Sequence, residues 1–244
     1  MDPKQGKASL AQVDKAQACP ELLRLENVTK IYVSDGEPVY ALNGVSLSAA
    51  PGQFIALVGR SGCGKSTLLN VAGAMDFPSS GRVLLENVST SDLDDNGLTL
   101  LRRKKVGFIF QSFQLLNALS VLENVELPLL LAGAPDTRAR SERQLELVEL
   151  AGLESRMPHQ LSGGQMQRVA IARAMVHSPK LLLADEPTGN LDTHTGNVIL
   201  ELLRRIADQH QTAILMATHS MEAAAVADRI VKLRDGRIEE VVAQ

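Results

Sequence analysis

The amino-acid sequence predicts an α/β fold with an all-helical segment inserted into it. Three observations carry this. Short apolar runs bounded by turn residues alternate with helical patterns at both ends of the chain. A Gly-rich loop, Gly59 to Gly64, joins an apolar strand to an apolar helix. From about residue 112 to 175 the strand patterns stop and only helical ones remain.

Residues 1–20 are rich in Ala, Gln and Lys and are expected to form a mobile tail, so the folded domain should span 21–244. Leu22–Val28, Val45–Leu47 and Phe54–Val58 read as strands, punctuated by the turn signals Asp35-Gly36 and Pro51-Gly52. A helix should run from Lys65 to Ala72, followed by a turn at Pro78–Gly81 and a strand at Arg82–Leu85. Val106–Phe110 reads as a short buried strand that ends at Gln111. Three helices then fill the insertion: Val121–Leu131, Thr137–Leu150 and Gly163–Val176, the first two separated by Pro135-Asp136. Strands return at Leu181–Ala184, Ala213–Ala217 and Ile230–Leu233. Between the first two lies a helix with Ile199, Leu202, Leu203 and Ile206 on one face.

Composition narrows the function classes. The 244 residues carry a formal net charge of -3 with acids and bases nearly balanced, so there is no polycationic footprint and nucleic acid is not an expected partner. Two cysteines, Cys19 and Cys63, are too few for a disulfide framework and fit a reducing cytoplasm. The first twenty residues hold three lysines but no apolar run behind them, which argues against a secretory signal. No apolar stretch is long enough to cross a bilayer, so a membrane role is expected to be peripheral.

Gly59-Arg60-Ser61-Gly62-Cys63-Gly64-Lys65-Ser66 has the spacing of a phosphate-binding loop, and Thr67 continues it into the helix. The glycines let backbone N–H groups converge on phosphate oxygens, and the helix behind presents its positive end to the same charge. Lys65 is expected to reach the β and γ phosphates and the Ser66 hydroxyl to ligate Mg²⁺. A Gly-rich turn with a stray lysine is the competing reading; the strand before and the helix after decide against it. Leu181–Glu186 is an apolar run ending in two acids, which are costly at the end of a buried strand unless used. Asp185 suits a Mg²⁺ shell through a water. Glu186, expected to point the other way along the strand, suits a general base.

A loop and an acid pair would fit many nucleotide-binding enzymes. The discriminator is Leu161-Ser162-Gly163-Gly164-Gln165 at a helix start, a pentapeptide that arises on the order of once in a million positions at average residue frequencies. Ser162 and the Gly163 and Gly164 amides make a second anion-ready helix end. Two such ends in one chain imply a head-to-tail dimer, each site shared between the phosphate loop of one copy and residues 161–165 of the other.

With these motifs in order, the sequence resembles the ATPases of ABC transporters over about residues 22–240. The resemblance adds Gln111, the Gly189-Asn190-Leu191-Asp192 loop and His219 after Ala217-Thr218. It implies a RecA-like P-loop NTPase core, an antiparallel β subdomain near the N-terminus and a helical subdomain carrying Ser162–Gln165. It implies that Gln111 contacts Mg²⁺ and the attacking water. His219 would contact the γ-phosphate and hold Glu186, and Asp192 would cross the dimer interface. Tyr32, in Thr29-Lys30-Ile31-Tyr32, matches the aromatic residue that stacks on adenine; Tyr40 reads better as packing. Arg60, Cys63 and Ser220 depart from the commoner residues at their positions.

Gln111–Leu116, Leu122–Leu129 and Asp185–Asp192 are most similar to the lipoprotein-release, macrolide-export and cell-division branch. That branch implies a membrane permease and a site of work on the cytoplasmic face of the inner membrane. Members fused to their permease continue into membrane helices. With Gln244 as the last residue here, the permease is expected to be a separate polypeptide, docked in a groove near Phe113 to Glu123, where the segment after Gln111 enters the helical insertion. The alternative is an ATP-dependent regulator of cell-wall remodelling that acts through a permease-like partner. His159, His177, His194 and His210 lack metal-ligand spacing and read as surface or packing residues. Asp92, Asp94 and Asp95 read as a solvated loop or a helix start.

Overall fold

The computed structural model describes residues 21–34 and 36–244. The expected tail at 1–20, with Cys19, and Asp35 of the first turn signal lie outside them. In chain order the elements are β1 (Leu23–Ser34), β2 (Glu37–Ala49), β3 (Phe54–Val58), α1 (Lys65–Ala72), β4 (Ser80–Leu85), β5 (Val88–Ser89), α2 (Asp95–Lys105) and β6 (Val106–Ile109). They continue with α3 (Val121–Leu131), α4 (Thr137–Leu147), α5 (Gly163–Met175), β7 (Leu181–Asp185), α6 (Thr193–His210), β8 (Ala213–Thr218), α7 (Met221–Ala224), β9 (Arg229–Arg234) and β10 (Arg237–Ala243).

Two sheets result. A four-stranded antiparallel sheet has the order β2-β1-β4-β5, and a six-stranded sheet has the order β10-β9-β3-β8-β7-β6. In the larger sheet β9, β3, β8, β7 and β6 are parallel, and only β10 is antiparallel to its neighbour. Parallel strands need crossovers that cover both faces, so their sequences are apolar throughout rather than alternating. The chain obeys this: every residue of β3 and β8 is buried.

The period of two then divides the core. Phe54, Ala56 and Val58 join one hydrophobic cluster with Leu182, Ala184, Ile214 and Met216, and α3, α5 and α6 cover it. Ile55 and Leu57 join a second cluster with Leu181, Leu183, Leu215 and Ala217, covered by α1 and the antiparallel sheet. At the base of β3, Asp228 accepts from Phe54 N at 2.7 Å and from Arg204 Nη1 at 3.0 Å, which fixes α6 to the strand's start.

The segment between β6 and β7 is helical, as expected, and its first helix is held by two devices. Ser120 and Glu123 form a reciprocal cap at the start of α3: the Ser120 hydroxyl accepts from Glu123 N, and Glu123 Oε2 accepts from Ser120 N at 2.7 Å. Asn124, fully buried, binds the preceding loop. Its Oδ1 accepts from Leu116 N at 2.8 Å, and its Nδ2 donates to the carbonyls of Leu116, Leu119 and Ser120 at 3.0–3.1 Å.

Three parts of the chain depart from the sequence reading. β2 begins at Glu37, eight residues before the expected Val45, so β1 and β2 form one long hairpin. The helix α2 has no counterpart in that reading beyond the helix start that the acidic stretch allows, which the Asp94 carboxylate supplies by accepting from Gly97 N at 2.7 Å. The edge strand β10 carried no signal, and its residues are almost all exposed.

Asn124→Leu is expected to destabilise the protein by about 2–3 kcal/mol, because it leaves several buried backbone groups without partners while keeping the volume. Urea denaturation of the variant against wild type checks this; an unchanged midpoint would deny Asn124 its role as the loop's anchor.

Candidate functional site

The site forms where β3, β7 and β8 end. Each strand stops at a chemistry-bearing residue: β3 runs into Gly59, β7 ends at Asp185, and β8 leads to His219. Such an edge, outside the carboxyl ends of parallel strands, is where open α/β sheets bind ligands. A cavity of about 620 Å³ lies there, lined by Ser61, Gly62, Gly64, Lys65, Ser66, Thr67, Gln111, Asp185, Glu186 and His219, with Ala41 from the β1–β2 sheet. Residues from position 41 to position 219 of the sequence thus share one surface.

The phosphate loop owes its shape to Gly64, which stands at φ 106 as the residue before α1. An L-residue is disfavoured at that angle, and a Cβ there would also collide with the Ala41 carbonyl. Lys65 is buried, and its ammonium donates to the loop's own carbonyls, Gly59 O at 2.7 Å and Arg60 O at 3.2 Å. That bonding holds a cation under the loop on neutral carbonyls, which a phosphate oxygen, a stronger anionic acceptor, can replace.

Not every residue of the motif faces the cavity. Cys63, expected among the nucleotide-binding side chains, is buried in the second core cluster, and a Cβ on Gly59 would sit 2.5 Å from its sulfur. Its side chain packs behind the loop, so only its backbone is available to a phosphate. Gly59 and Arg60 likewise line a separate cavity behind the loop, with Lys232, Leu233 and Arg234.

The acid pair also differs from expectation. Asp185 and Glu186 line the same cavity instead of pointing apart. The reason is backbone geometry: Glu186 has φ 48, so it leaves the strand and breaks the alternation. Its N–H still donates to Ala217 O at 3.0 Å, which ties it to β8. The His219 ring Nδ1 lies 2.9 Å from Glu186 Oε2, the pairing that the sequence resemblance implied. Gln111 abuts the next loop: Asn190 Nδ2 donates to the Gln111 carbonyl at 2.9 Å, and its side-chain amide nitrogen lies 3.0 Å from where a Cβ on Gly189 would stand.

Ser162–Gln165 stands elsewhere and lines no part of this cavity. Ser162 caps α5 reciprocally with Gln165: Gln165 Oε1 accepts from Ser162 N at 2.9 Å. Gly163 faces Leu191, and a Cβ on Gly164 would collide with the Thr195 methyl. Asp192 caps α6, accepting from Thr195 N at 3.0 Å and Thr195 Oγ1 at 2.6 Å; the hydroxyl bond holds its carboxyl below the usual range.

Tyr32 lies on the hairpin, outside the cavity lining and 41% exposed. Its hydroxyl donates to Asp76 Oδ2 at 2.7 Å, which raises the phenol's pKa, and the Lys30 ammonium stands 5.0 Å from its ring centroid. Lys30 also pairs with Asp76 at 2.6 Å. Asp76 and Lys30 escaped the sequence reading because nothing in their spacing links them; only the fold brings positions 30, 32 and 76 together. Tyr40 lies within β2 and is half exposed rather than packed. His177 is a packing residue: its Nε2 contacts Val106 O at 3.0 Å, and burial lowers its pKa.

The donors around the cavity suit Mg²⁺. Among the described residues no three His, Cys, Asp or Glu side chains group as a self-sufficient metal site. A Ser66 hydroxyl, a Gln111 amide and an Asp185 carboxylate share the cavity with the phosphate loop. One carboxylate plus neutral oxygens, completed by phosphate oxygens and water, is the set that Mg²⁺ prefers.

Comparison with known proteins agrees with this geometry. Residues 42–189, more than half of the chain, match the family model described as ABC transporter. The chain is 44% identical over 224 residues to the lipoprotein-releasing system ATP-binding protein LolD of Maricaulis maris, covering 91% of this chain and 97% of that protein. It is 46% identical over 220 residues to the macrolide export ATP-binding/permease protein MacB of Vibrio parahaemolyticus, covering 89% of this chain but 33% of that protein. It is similar to the dimeric, post-hydrolysis structure of an ATP-binding cassette bound to ADP and phosphate, with a TM-score of 0.84 and 43% identity over 91% of this chain and 98% of the other. The chain belongs to the ABC transporter family, as an ATP-binding, ATP-hydrolysing cassette.

Proposed function

We propose that this cassette closes as a head-to-tail homodimer around ATP and Mg²⁺ and drives a membrane permease of the lipoprotein-release or macrolide-export type. The observation that supports the chemistry best is the meeting of Lys65, Ser66, Gln111, Asp185, Glu186 and His219 in one cavity. In this reading the loop amides and Lys65 bind the β and γ phosphates. Ser66, Asp185 and Gln111 would hold Mg²⁺, which when bound neutralises phosphate charge. Glu186 accepts a proton from the attacking water. His219, touching Glu186 at 2.9 Å, keeps that carboxylate oriented and reaches toward the γ-phosphate.

Dimer closure is supported by what one chain does not bring together. The α5 start, with Gly163 and Gly164 in its first turn, is outside the cavity. A second copy turned head to tail would deliver it to the γ-phosphate, and the similar cassette with ADP and phosphate is dimeric. Asp192, exposed beside the cavity around Glu186 and His219, would meet the partner. Tyr32 would stack on adenine with the ring face that Lys30 leaves uncovered.

Transport coupling rests on the relatives: LolD is named for a lipoprotein-releasing system, and MacB joins a matching third to a permease. No helix among the described residues is long and apolar enough to cross a membrane. The segment of α3 to α5 would act as the moving helical subdomain. Docking is best assigned to a cavity of about 280 Å³ lined by Phe108, Phe110, Pro128 and His177, where the two Phe rings stack with centroids 4.4 Å apart. Gln114, from the expected docking segment, lines this cavity too, whereas the Glu123 carboxylate is engaged by Ser120, so charge reversal at Glu123 would break a helix cap as well as any contact.

Glu186→Gln should retain ATP affinity and slow hydrolysis by about 10²–10⁴-fold, the usual range for a lost general base. Wild-type turnover would remove Glu186 from that role. Tyr32→Ala should weaken ATP binding by about 1–3 kcal/mol, whereas Tyr32→Phe, which keeps the ring and loses the Asp76 bond, should weaken it less. Equal effects in the two variants would assign the loss to the Asp76 bond rather than to stacking. A cysteine at position 108 or 128, with Cys19 and Cys63 replaced by Ser, should crosslink to an integral membrane protein in native membranes. Crosslinking from another face alone would displace the docking site.

A further inference from the structure

The loop after Gln111 holds two consecutive residues in a conformation that side chains resist. Phe113 has φ 59 and Gln114 has φ 48. Each such residue carries a backbone penalty, and the other consecutive pair, Glu86-Asn87, is accounted for by the two-residue turn between β4 and β5, whereas Phe113-Gln114 closes no hairpin and needs another restraint. The local bond Gln114 N to Ser112 O, at 2.6 Å, tightens the turn. The stronger constraint comes from outside. Arg173 Nη1 donates to Gln114 O at 2.7 Å, and Nη2 donates to Phe113 O at 2.9 Å. The two carbonyls thus converge on one guanidinium, whose planar fork suits paired acceptors. The charge is partly desolvated for this task, which lowers its pKa.

Arg173 lies on α5, the helix that begins at Ser162. The loop that it grips carries Gln111, which lines the phosphate cavity. Phe113 in turn approaches the other end of the same helix, its ring tip 3.9 Å from where a Cβ on Gly163 would stand. The opposite side of Gln111 is held by Asn190.

We infer that Arg173 is a positioning residue for hydrolysis: by holding the Phe113–Gln114 backbone in its strained turn, it fixes Gln111 in the phosphate cavity and couples that position to the Ser162–Gln165 helix. The inference rests on the proposed role of Gln111 at the phosphate site.

The test uses the full chain, with ATP turnover and the affinity for a fluorescent ATP analogue as separate readouts. Arg173→Gln lowers kcat at least ten-fold while the analogue's Kd shifts less than three-fold. Adding Gln114→Gly, which removes the penalty of the left-handed backbone, restores at least a third of the lost kcat. Gln114→Val lowers kcat at least three-fold with Arg173 intact, because a β-branched side chain at this exposed position opposes the positive φ. If Arg173→Gln does not fold, Gln114→Val decides alone. A double variant no faster than Arg173→Gln, or Gln114→Val at the wild-type rate, overturns the inference. Failure of the underlying Gln111 reading looks different: Gln111→Ala would then turn over at the wild-type rate whatever the Arg173 series shows.

Discussion

The register of the parallel ladder is the constraint on which this site depends. Val58 of β3 lies opposite Thr218 of β8, Asp185 of β7 opposite Ala217, and Ile109 of β6 opposite Ala184. Extending those rows by one or two residues brings Gly59, His219, Glu186 and Gln111 out at the same edge. Because successive side chains alternate faces, a slip of one residue in any of these pairings would exchange the two hydrophobic clusters. The same slip would separate His219 from Glu186. Core packing and site geometry are therefore fixed by one set of hydrogen bonds, and neither can drift without the other.

That dependence explains which parts of the chain were legible in its sequence. β3, α1 and α3 fall where the apolar runs and caps put them, because burial on both faces or a Ser120–Glu123 cap leaves a direct mark on residue choice. The first half of β2 and nearly all of β10 are exposed, so their strand state is imposed by neighbouring backbone and not by side-chain pattern. α2 is mostly polar and buries only Leu98, so it lacks the apolar residues that marked the other helices in the sequence. The site shows the same division. Lys65, Ser66, Asp185 and Glu186 were readable because their chemistry needs fixed spacing along the chain. Asp76, which holds the Tyr32 hydroxyl, and Arg173, which holds two loop carbonyls, act through space on partners 44 to 60 positions away, and no local pattern records such pairs.

Backbone strain concentrates where the chain must abandon the regular ladder. Glu186 at φ 48 turns out of β7, and Phe113 and Gln114 turn sharply after β6. Without the first departure, Asp185 and Glu186 would point to opposite faces of the sheet, as adjacent strand residues do. With it, both acids reach the same cavity, one placed by the strand and the other by the exit from it. Each strained turn has its own restraint: Ala217 O accepts from Glu186 N, and Arg173 grips the second turn. Left-handed residues occur at other turns and helix ends too, but these three stand where the chain leaves β6 and β7 to place reacting groups.

The phosphate loop obeys a complementary rule. Its function resides in backbone N–H groups, in the Lys65 ammonium and in the Ser66 hydroxyl, so the remaining side chains are free to serve the fold. Cys63 uses that freedom to fill the space beneath Gly59, and Arg60 lies on the far side of the loop beside Lys232 and Arg234. Gly59 and Gly64 are restricted for the opposite reason: a Cβ at either would strike a backbone carbonyl, Leu233 O or Ala41 O, that belongs to another element. The loop thus has room for a side chain at Arg60 and Cys63, whose side chains leave the cavity. It excludes one at Gly59 and Gly64, where the backbone of another element closes in.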